Sequence, residues 1–336
     1  MNCTKECYLG IDVGSVSTNL VLIDSNDIIL WKLYLRTDGQ PIEAIKQGLR
    51  QLVAAMTVNM NKIGTMLDLS EYKIMGVGAT GSGRQLARAV VGADISKNEI
   101  TSHAVASQRC IPNVRTIIEI GGQDSKIILL RDGIVHDFAM NTVCAAGTGS
   151  FLDRQAARLL ISIEDFGAYA LRAQNTVRIA GRCAVFAESD MIHKQQLGFG
   201  KEDIINGLCE ALVRNYIANL AKGKKLETPI VFQGGVAANI GIKKAFERAL
   251  DTEIIVPKHY DVMGAYGAAI LAKEQMQIND RESSFHGFKI IDEIYCARSC
   301  ECSGCANSCE IIQIFMNNRA IASWGDRCGK WQNDVG

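Results

Sequence analysis

The sequence carries no surplus of charge of either sign: 36 Lys and Arg stand against 36 Asp and Glu in 336 residues. That balance argues against the broad charged surface of a nucleic-acid or membrane-surface binder. Long apolar runs are missing as well, and none approaches the roughly 18–20 residues of a membrane span. The start, Met1 to Tyr8, lacks the apolar stretch of a secretory leader, so a cytoplasmic location is expected.

What is present is ordinary, with one exception. Hydrophobic residues make up 48% and charged residues 21%, the proportions of a globular protein, and the length allows two lobes with separate cores. The exception is cysteine, of which there are twelve. In a reducing compartment these stay thiols, so a disulfide framework is excluded and metal or cluster ligation is the better reading for some of them. Cys110 and Cys209 sit in apolar or helical surroundings and read as core residues, and Cys3 and Cys7 as spectators.

The chain repeats a pattern. Tyr8 to Ile23 reads as strand, tight turn, strand, and Ile28 to Leu35 as a third strand. Pro41 opens a helical spacing over Ile42 to Met60, and Tyr72 to Val77 is another strand. The unit restarts at Arg115, with a glycine turn at Gly121–Asp124 and an Asp132-Gly133 hairpin leading to a strand over Ile134 to Met140. Helices are predicted over Gly149–Leu160, Val185–Gln195, Glu202–Lys222 and Val262–Met276, with a strand over Pro229–Gln233. This is a duplicated α/β architecture. After Lys273 the chain becomes cysteine-rich and looks like an appended module.

Three glycine turns fall at the ends of equivalent strands. Asp12-Val-Gly14-Ser15, followed by Thr18, and Gly121-Gly122-Gln123-Asp124 each offer backbone N–H groups to phosphate and a carboxylate for a metal. Gln233-Gly234-Gly235-Val236 follows a buried strand and allows close approach of a nucleoside. A competitor is Gly76-Val-Gly78-Ala-Thr-Gly81, which formally matches the dinucleotide fingerprint with Asp94 downstream. It lies inside the chain and explains none of the cysteines.

This ordering resembles the sugar-kinase, heat-shock-protein-70 and actin superfamily. The resemblance implies an actin-like, two-lobed α/β fold with ATP in the cleft between ribonuclease-H-like lobes. It assigns Asp12, Gly14, Ser15 and Thr18 to the first phosphate loop, Gly121, Gly122, Gln123 and Asp124 to the second, and Gly234, Gly235 and Val236 to the adenosine motif. Asp12 and Asp124 would hold Mg²⁺ through its waters, and Gln123 would place the attacking water. Family members often carry Lys at the position of Asn19, so a cationic phosphate contact is either missing here or supplied elsewhere, with Lys126 as the candidate.

Two cysteine segments carry more specific chemistry: Asn141-Thr-Val-Cys144-Ala-Ala-Gly147-Thr148-Gly149 and Arg182-Cys183-Ala-Val-Phe186. Each cysteine immediately precedes a predicted helix, whose N-terminus favours a thiolate. A [4Fe–4S] cluster normally takes four sulfurs, and two per chain become four in a two-fold dimer. From local sequence alone both cysteines read equally well as small buried residues. Together with the nucleotide turns, however, these segments resemble the activator of 2-hydroxyacyl-CoA dehydratases and its relatives in the benzoyl-CoA reductase system.

That resemblance implies a homodimer bridged by one cluster held by Cys144 and Cys183 of each chain. ATP hydrolysis would drive low-potential one-electron transfer from ferredoxin or flavodoxin to a 2-hydroxyacyl-CoA dehydratase or a double-cubane cluster protein. The alternatives are an actin-fold small-molecule kinase, or a nucleotide-sensing metal-binding scaffold without electron transfer. The expected domains are a first lobe over 7–100 with 255–275, a second over 101–254 carrying the cluster ligands, and an extension over 276–336. In the extension Cys302, Cys305, Cys309 and Cys328 are candidate ligands for zinc or a second cluster, with Cys296 and Cys300 set aside.

Overall fold

The computed structural model describes residues 5–57, 71–142, 144–279 and 281–331. The chain divides into two compact units: one takes the chain up to Ser102 and resumes at Gly264, and the other is His103–Met263.

The first unit opens with β1 (Lys5–Val13), β2 (Ser17–Asp24) and β3 (Ile29–Arg36), then α1 (Pro41–Thr57) and β4 (Tyr72–Thr80). The expected continuation of α1 to Met60 lies outside the described residues. Next come α2 (Arg84–Val91), β5 (Ile95–Ser96) and α3 (Glu99–Cys110). The second unit has β6 (Thr116–Ile120), β7 (Ser125–Arg131) and β8 (Ile134–Asn141), then α4 (Gly149–Leu159), α5 (Ile163–Ala170), α6 (Ala184–Gln196) and α7 (Lys201–Leu220). It closes with β9 (Ile230–Gln233), α8 (Ile240–Leu250) and β10 (Ile254–Ile255), before α9 (Met263–Asn279) returns the chain to the first unit.

The duplication is visible in the strand order. One sheet runs β3-β2-β1-β4-β5 and the other β8-β7-β6-β9-β10, each an antiparallel meander followed by two parallel strands. Dense apolar runs bury β1, β2, β6 and β7 on both faces, whereas β3 and β8 alternate along the edges. Asp132 (φ 52°) and Gly133 (φ 77°) form the expected tight hairpin. In the second unit the core centres on α7, where Tyr216 and Phe232 meet Phe246 edge-on at 5.3 Å.

The structure shows why Gly76–Gly81, the competitor set aside above, is no dinucleotide loop. Gly76 and Gly78 lie within β4, not in a loop, and a Cβ on Gly78 would sit 2.1 Å from the Ala268 carbonyl of α9. The glycine exists so that a helix backbone can press on the sheet. Asp94, the supposed ribose ligand, is buried: its carboxylate accepts from Val77 N (2.8 Å), Ser283 Oγ (2.6 Å) and Ser284 N (2.7 Å). It pins the tail to the first unit, where Phe285, Phe288 and Tyr295 join the core.

The tail forms a three-stranded antiparallel sheet of β11 (Tyr295–Glu301), β12 (Glu310–Met316) and β13 (Arg319–Trp324). The loop 302–309 and the segment after Trp324 therefore leave the same end of that sheet. Among the described residues no helix is long and apolar enough to cross a membrane.

Candidate functional site

The two glycine turns are built alike. Gly14 N donates to Ser17 O at 2.8 Å, and Gly121 N to Asp124 O at 3.0 Å. In register, Asp12 faces Asn19 across the first hairpin and Glu119 faces Lys126 across the second. Each carboxylate abuts a glycine that follows the central parallel strand. A Cβ on Gly81 (φ +87°) would stand 2.4 Å from Asp12 Oδ1, and one on Gly234 (φ +88°) 2.7 Å from Glu119 Oε1. The Asp12 carboxylate is also hemmed by Gly264, where a Cβ would come within 2.0 Å of it. Glu119 is thus the second unit's counterpart of Asp12, and it was missed. The signal was present, since Asp12-x-Gly14 and Glu119-x-Gly121 each precede their facing partner by the same spacing.

The position of Lys126 argues against a phosphate contact. Its ammonium is buried, 3.0 Å from Glu119 Oε2 and 2.8 Å from Asp124 Oδ2. Burial alone would lower its pKa, but the two carboxylates outweigh that and hold it above the ordinary lysine value. Asn19, in the matching place, is buried with no hydrogen-bond partner for Oδ1. Thr18 is fully buried; its hydroxyl meets Thr37 Oγ1 at 3.0 Å, and Thr37 donates to Gly14 O, bracing the first turn from behind. Ser15 and Gln123 are exposed at the turn tips, and Asp12, Gly14, Gly121, Gly122 and Asp124 are half-buried.

Before Gly234, the buried Gln233 accepts from Ser107 Oγ (2.8 Å) and meets His103 Nδ1 (2.8 Å). Burial, with a smaller contribution from Lys126, pushes the His103 pKa down to about 3, so its ring is neutral at physiological pH. Gly235 is exposed and Val236 buried in the short turn that follows.

The second turn is tied directly to the cysteine region. Gly121 O accepts from Gly149 N (2.9 Å), and Gly122 O accepts from Ser150 N (2.9 Å) and Ser150 Oγ (2.6 Å). These are the first residues of α4, five positions after Cys144. Cys144 itself precedes a three-residue 3₁₀ turn, Ala145–Gly147, and not the long helix expected. The helix-terminus argument therefore applies to Cys183 alone, which caps the 13-residue α6.

Cys144 is held by Asn141, whose Oδ1 accepts from Cys144 N (2.9 Å) and whose Nδ2 donates to Cys144 O (2.8 Å). The structure brings the two cysteine segments together, with Cys144 Sγ 3.9 Å from the Arg182 carbonyl. Asn215 of α7 links them, its Nδ2 lying 2.5 Å from Gly181 O and 4.0 Å from Cys144 Sγ. Sequence reasoning missed Asn215, because nothing in a helical stretch marks it as touching a loop 71 residues away. Both cysteines are half-buried.

The other thiols differ. Cys7 and Cys209 are fully buried, and burial pushes their pKa up to about 12, so they stay protonated. Cys110 is half-buried, and Cys3 lies outside the described residues. In the tail Cys302 N donates to Cys309 O (2.8 Å), and Trp331 Nε1 donates to Cys302 Sγ (3.3 Å). That bond, with one from Gly304 N, lowers the Cys302 pKa. Cys305, Cys309 and Cys328 leave the same end of the sheet, while Cys296 and Cys300 lie exposed along β11. Among the described residues no three His, Cys, Asp or Glu side chains already surround a common metal position.

Two units of one strand topology, with matched carboxylate turns and a glycine after each central strand, define a duplicated, actin-like α/β fold. The sequence matches the BadF/BadG/BcrA/BcrD ATPase family over residues 9–272, and the chain belongs to that family. It is 33% identical over 275 residues to the 2-hydroxyisocaproyl-CoA dehydratase activator of Clostridioides difficile, covering 82% of this chain and 97% of that one. The fold is similar to the ADPNP-bound structure of that activator (TM-score 0.72, 31% identity, covering 82% and 97% of the two chains). It is also similar to component A of the (R)-2-hydroxyglutaryl-CoA dehydratase of Acidaminococcus fermentans (TM-score 0.70, 32% identity, 81% and 99% covered). The match ends before the cysteine-rich tail.

Proposed function

We propose that this ATPase is an ATP-dependent activator, a homodimer that couples ATP hydrolysis to one-electron transfer into a 2-hydroxyacyl-CoA dehydratase or a related double-cubane cluster protein. The observation that carries the reading is the bridge from the Gly121–Asp124 turn through Gly149 and Ser150 to the Cys144 loop, which Asn215 joins to the Cys183 loop. Similarity to dehydratase activators supports it.

The nucleotide's phosphates are received by Asp12, Gly14 and Ser15 and by Gly121, Gly122, Gln123 and Asp124, with Thr18 bracing the first turn. Gly234, Gly235 and Val236 take the adenosine. Asp12 and Asp124 orient Mg²⁺ through its waters, and the exposed Gln123 positions the attacking water.

Cys144 and Cys183 fit half of a four-thiolate donor set: both residues are half-buried on adjoining loops, and Cys183 stands at the N-terminus of α6. A second copy supplies the other half. The [4Fe–4S] group they would hold supplies a one-electron carrier. This chain's residues fix the sulfurs and transmit the state of the Gly121–Asp124 turn to them. ATP drives this only by binding one arrangement of the cysteine loops more tightly than the other.

The tail, 276–336, is a further metal-binding extension in this reading, with Cys302, Cys305, Cys309 and Cys328 closing on zinc or a second cluster. Their common end of the sheet and the N–H bonds to Cys302 Sγ support it.

The test is ATP-dependent activation of a 2-hydroxyacyl-CoA dehydratase by the reduced protein. Wild type should activate it only with hydrolysable ATP. Cys183→Ser should still hydrolyse ATP but transfer nothing, and a fully active Cys183→Ser protein overturns the proposal.

A further inference from the structure

Within the first unit, α2 and the sheet of the tail enclose a cavity of about 450 Å³. Its polar lining is Gln85 and Arg88 of α2, Ser284 and His286 of the segment before β11, and Ser323 and Trp324 of β13. Four of these six residues lie in the tail, beyond residue 272 where the family match ends. The cavity is therefore a property of this chain and not of the part it shares with its relatives. No residue of either glycine turn lines it. Only α2 connects it to the first turn, through Gly83 N, which donates to Val13 O at 2.8 Å.

The side chains of Gln85, Arg88, Ser323 and Trp324 make no hydrogen bond or ion pair among the described residues. Ser323 is 7% exposed, and its hydroxyl is shut off from solvent without a partner. A buried, unpaired hydroxyl is costly, and a bound group beside it removes the cost. The remaining polar groups are engaged: Ser284 Oγ meets Gly92 O at 2.9 Å, and His286 Nδ1 donates to Val90 O at 3.2 Å. No carboxylate lines the cavity. Asp94, next to Ala93 in the chain, already accepts from Val77 N, Ser283 Oγ, Ser284 N and Ser284 Oγ at 2.6–3.0 Å. The guanidinium of Arg88 is thus the uncompensated charge, and the free groups around it are donors.

That chemistry selects an anion. The guanidinium fork, the amide, the indole N–H and the hydroxyl offer more donors than the two oxygens of a carboxylate can use, and the three terminal oxygens of a phosphate monoester suit them better. Ala89, Ala93 and Ile321 make the rest of the lining apolar, and the volume exceeds what a bare inorganic ion fills. We propose that this cavity binds an organic phosphate monoester, with its phosphate on Arg88 and Gln85, Ser323 and Trp324 as further donors, and its apolar body against Ile321. The proposal does not rest on electron transfer or on a cluster.

The experiment is calorimetric titration of the full-length protein with its nucleotide site saturated by ADP and Mg²⁺. Phenyl phosphate should bind, and inorganic phosphate and phenylacetate should each bind about tenfold more weakly or less. Arg88→Ala should weaken phenyl phosphate about 30-fold, the loss of a charge-assisted bond, and Gln85→Ala about threefold. Both residues are exposed on α2, so urea unfolding and ADP affinity should stay as in wild type. No binding of phenyl phosphate to the wild-type protein overturns the proposal, as does wild-type affinity in Arg88→Ala. Inorganic phosphate binding as tightly as the ester would make this a bare anion site and overturn it too. Phenylacetate matching the ester would do the same by making it a carboxylate site.

Discussion

The two units carry the same turn with different wiring. In the first, Asp12 faces an amide, Asn19, and the residue before the second glycine is Thr80, bonded to Ser102. In the second, Glu119 faces a buried lysine, and the residue before Gly234 is Gln233, bonded to Ser107 and His103. Among the described residues, the second turn alone passes hydrogen bonds from its two glycine carbonyls into the helix that follows a candidate cluster cysteine. Duplication thus supplied two equivalent glycine turns, and the second is bonded into the helix that follows Cys144. A turn that only binds can be braced by hydroxyls, as Thr18 and Thr37 do. One that must transmit its state needs a continuous bonded path.

The largest effect should come from unbalancing the second turn. Lys126→Met leaves the buried Glu119 beside an apolar chain and should cost about 3–5 kcal/mol in urea unfolding. The double variant with Glu119→Gln should recover a good part. Equal costs for single and double variants would mean that the pair is not the relevant interaction.

Acid should expose the same asymmetry. His103 has its pKa lowered to about 3 from an ordinary 6.5, so protonation favours the unfolded chain. Its contribution is complete about a unit above pH 6.5 and is lost as pH falls through 6.5 toward 3. Between pH 6.5 and 4.5 that amounts to about 2 kcal/mol. The slope of unfolding free energy against pH should flatten in His103→Gln, and an unchanged slope would contradict the assignment.

Asp12→Asn should lower kcat for ATP hydrolysis about 100-fold, the usual cost of one positioned electrostatic group, without unfolding the protein. The smallest change separates hydrolysis from coupling. Ser150→Ala removes only the 2.6 Å bond to Gly122 O, worth about 1 kcal/mol. ATP turnover should hold while electrons delivered per ATP fall several-fold. A parallel fall in both would mean that Ser150 serves the nucleotide site alone.

Much of this was legible in the sequence because it is local. The strand–turn–strand units, the Asp132-Gly133 hairpin and α7 follow from runs and periodicities of neighbouring residues. What escaped depends on distant contacts. Gly76–Gly81 resembles a nucleotide loop until α9 is seen pressing on β4, and the helices α2 and α3 behind it were then overlooked. Asn215 cannot be told from its helical neighbours without the loops it holds. The strands of the tail were hidden because Tyr295–Glu301 shows no alternation: almost all of it is exposed. Glu119 was readable from its spacing, but Asp124 presents a second carboxylate at the same turn, and only the register across the hairpin shows which of the two matches Asp12.

The central claim is that Cys144 and Cys183 are half of a shared cluster site wired to the second turn. The most direct measurement is iron and acid-labile sulfide per chain in anaerobically purified wild-type, Cys144→Ser and Cys183→Ser proteins. Four irons shared by two chains require wild type to exceed either variant by about two irons per chain. Equal iron in all three proteins would contradict the account.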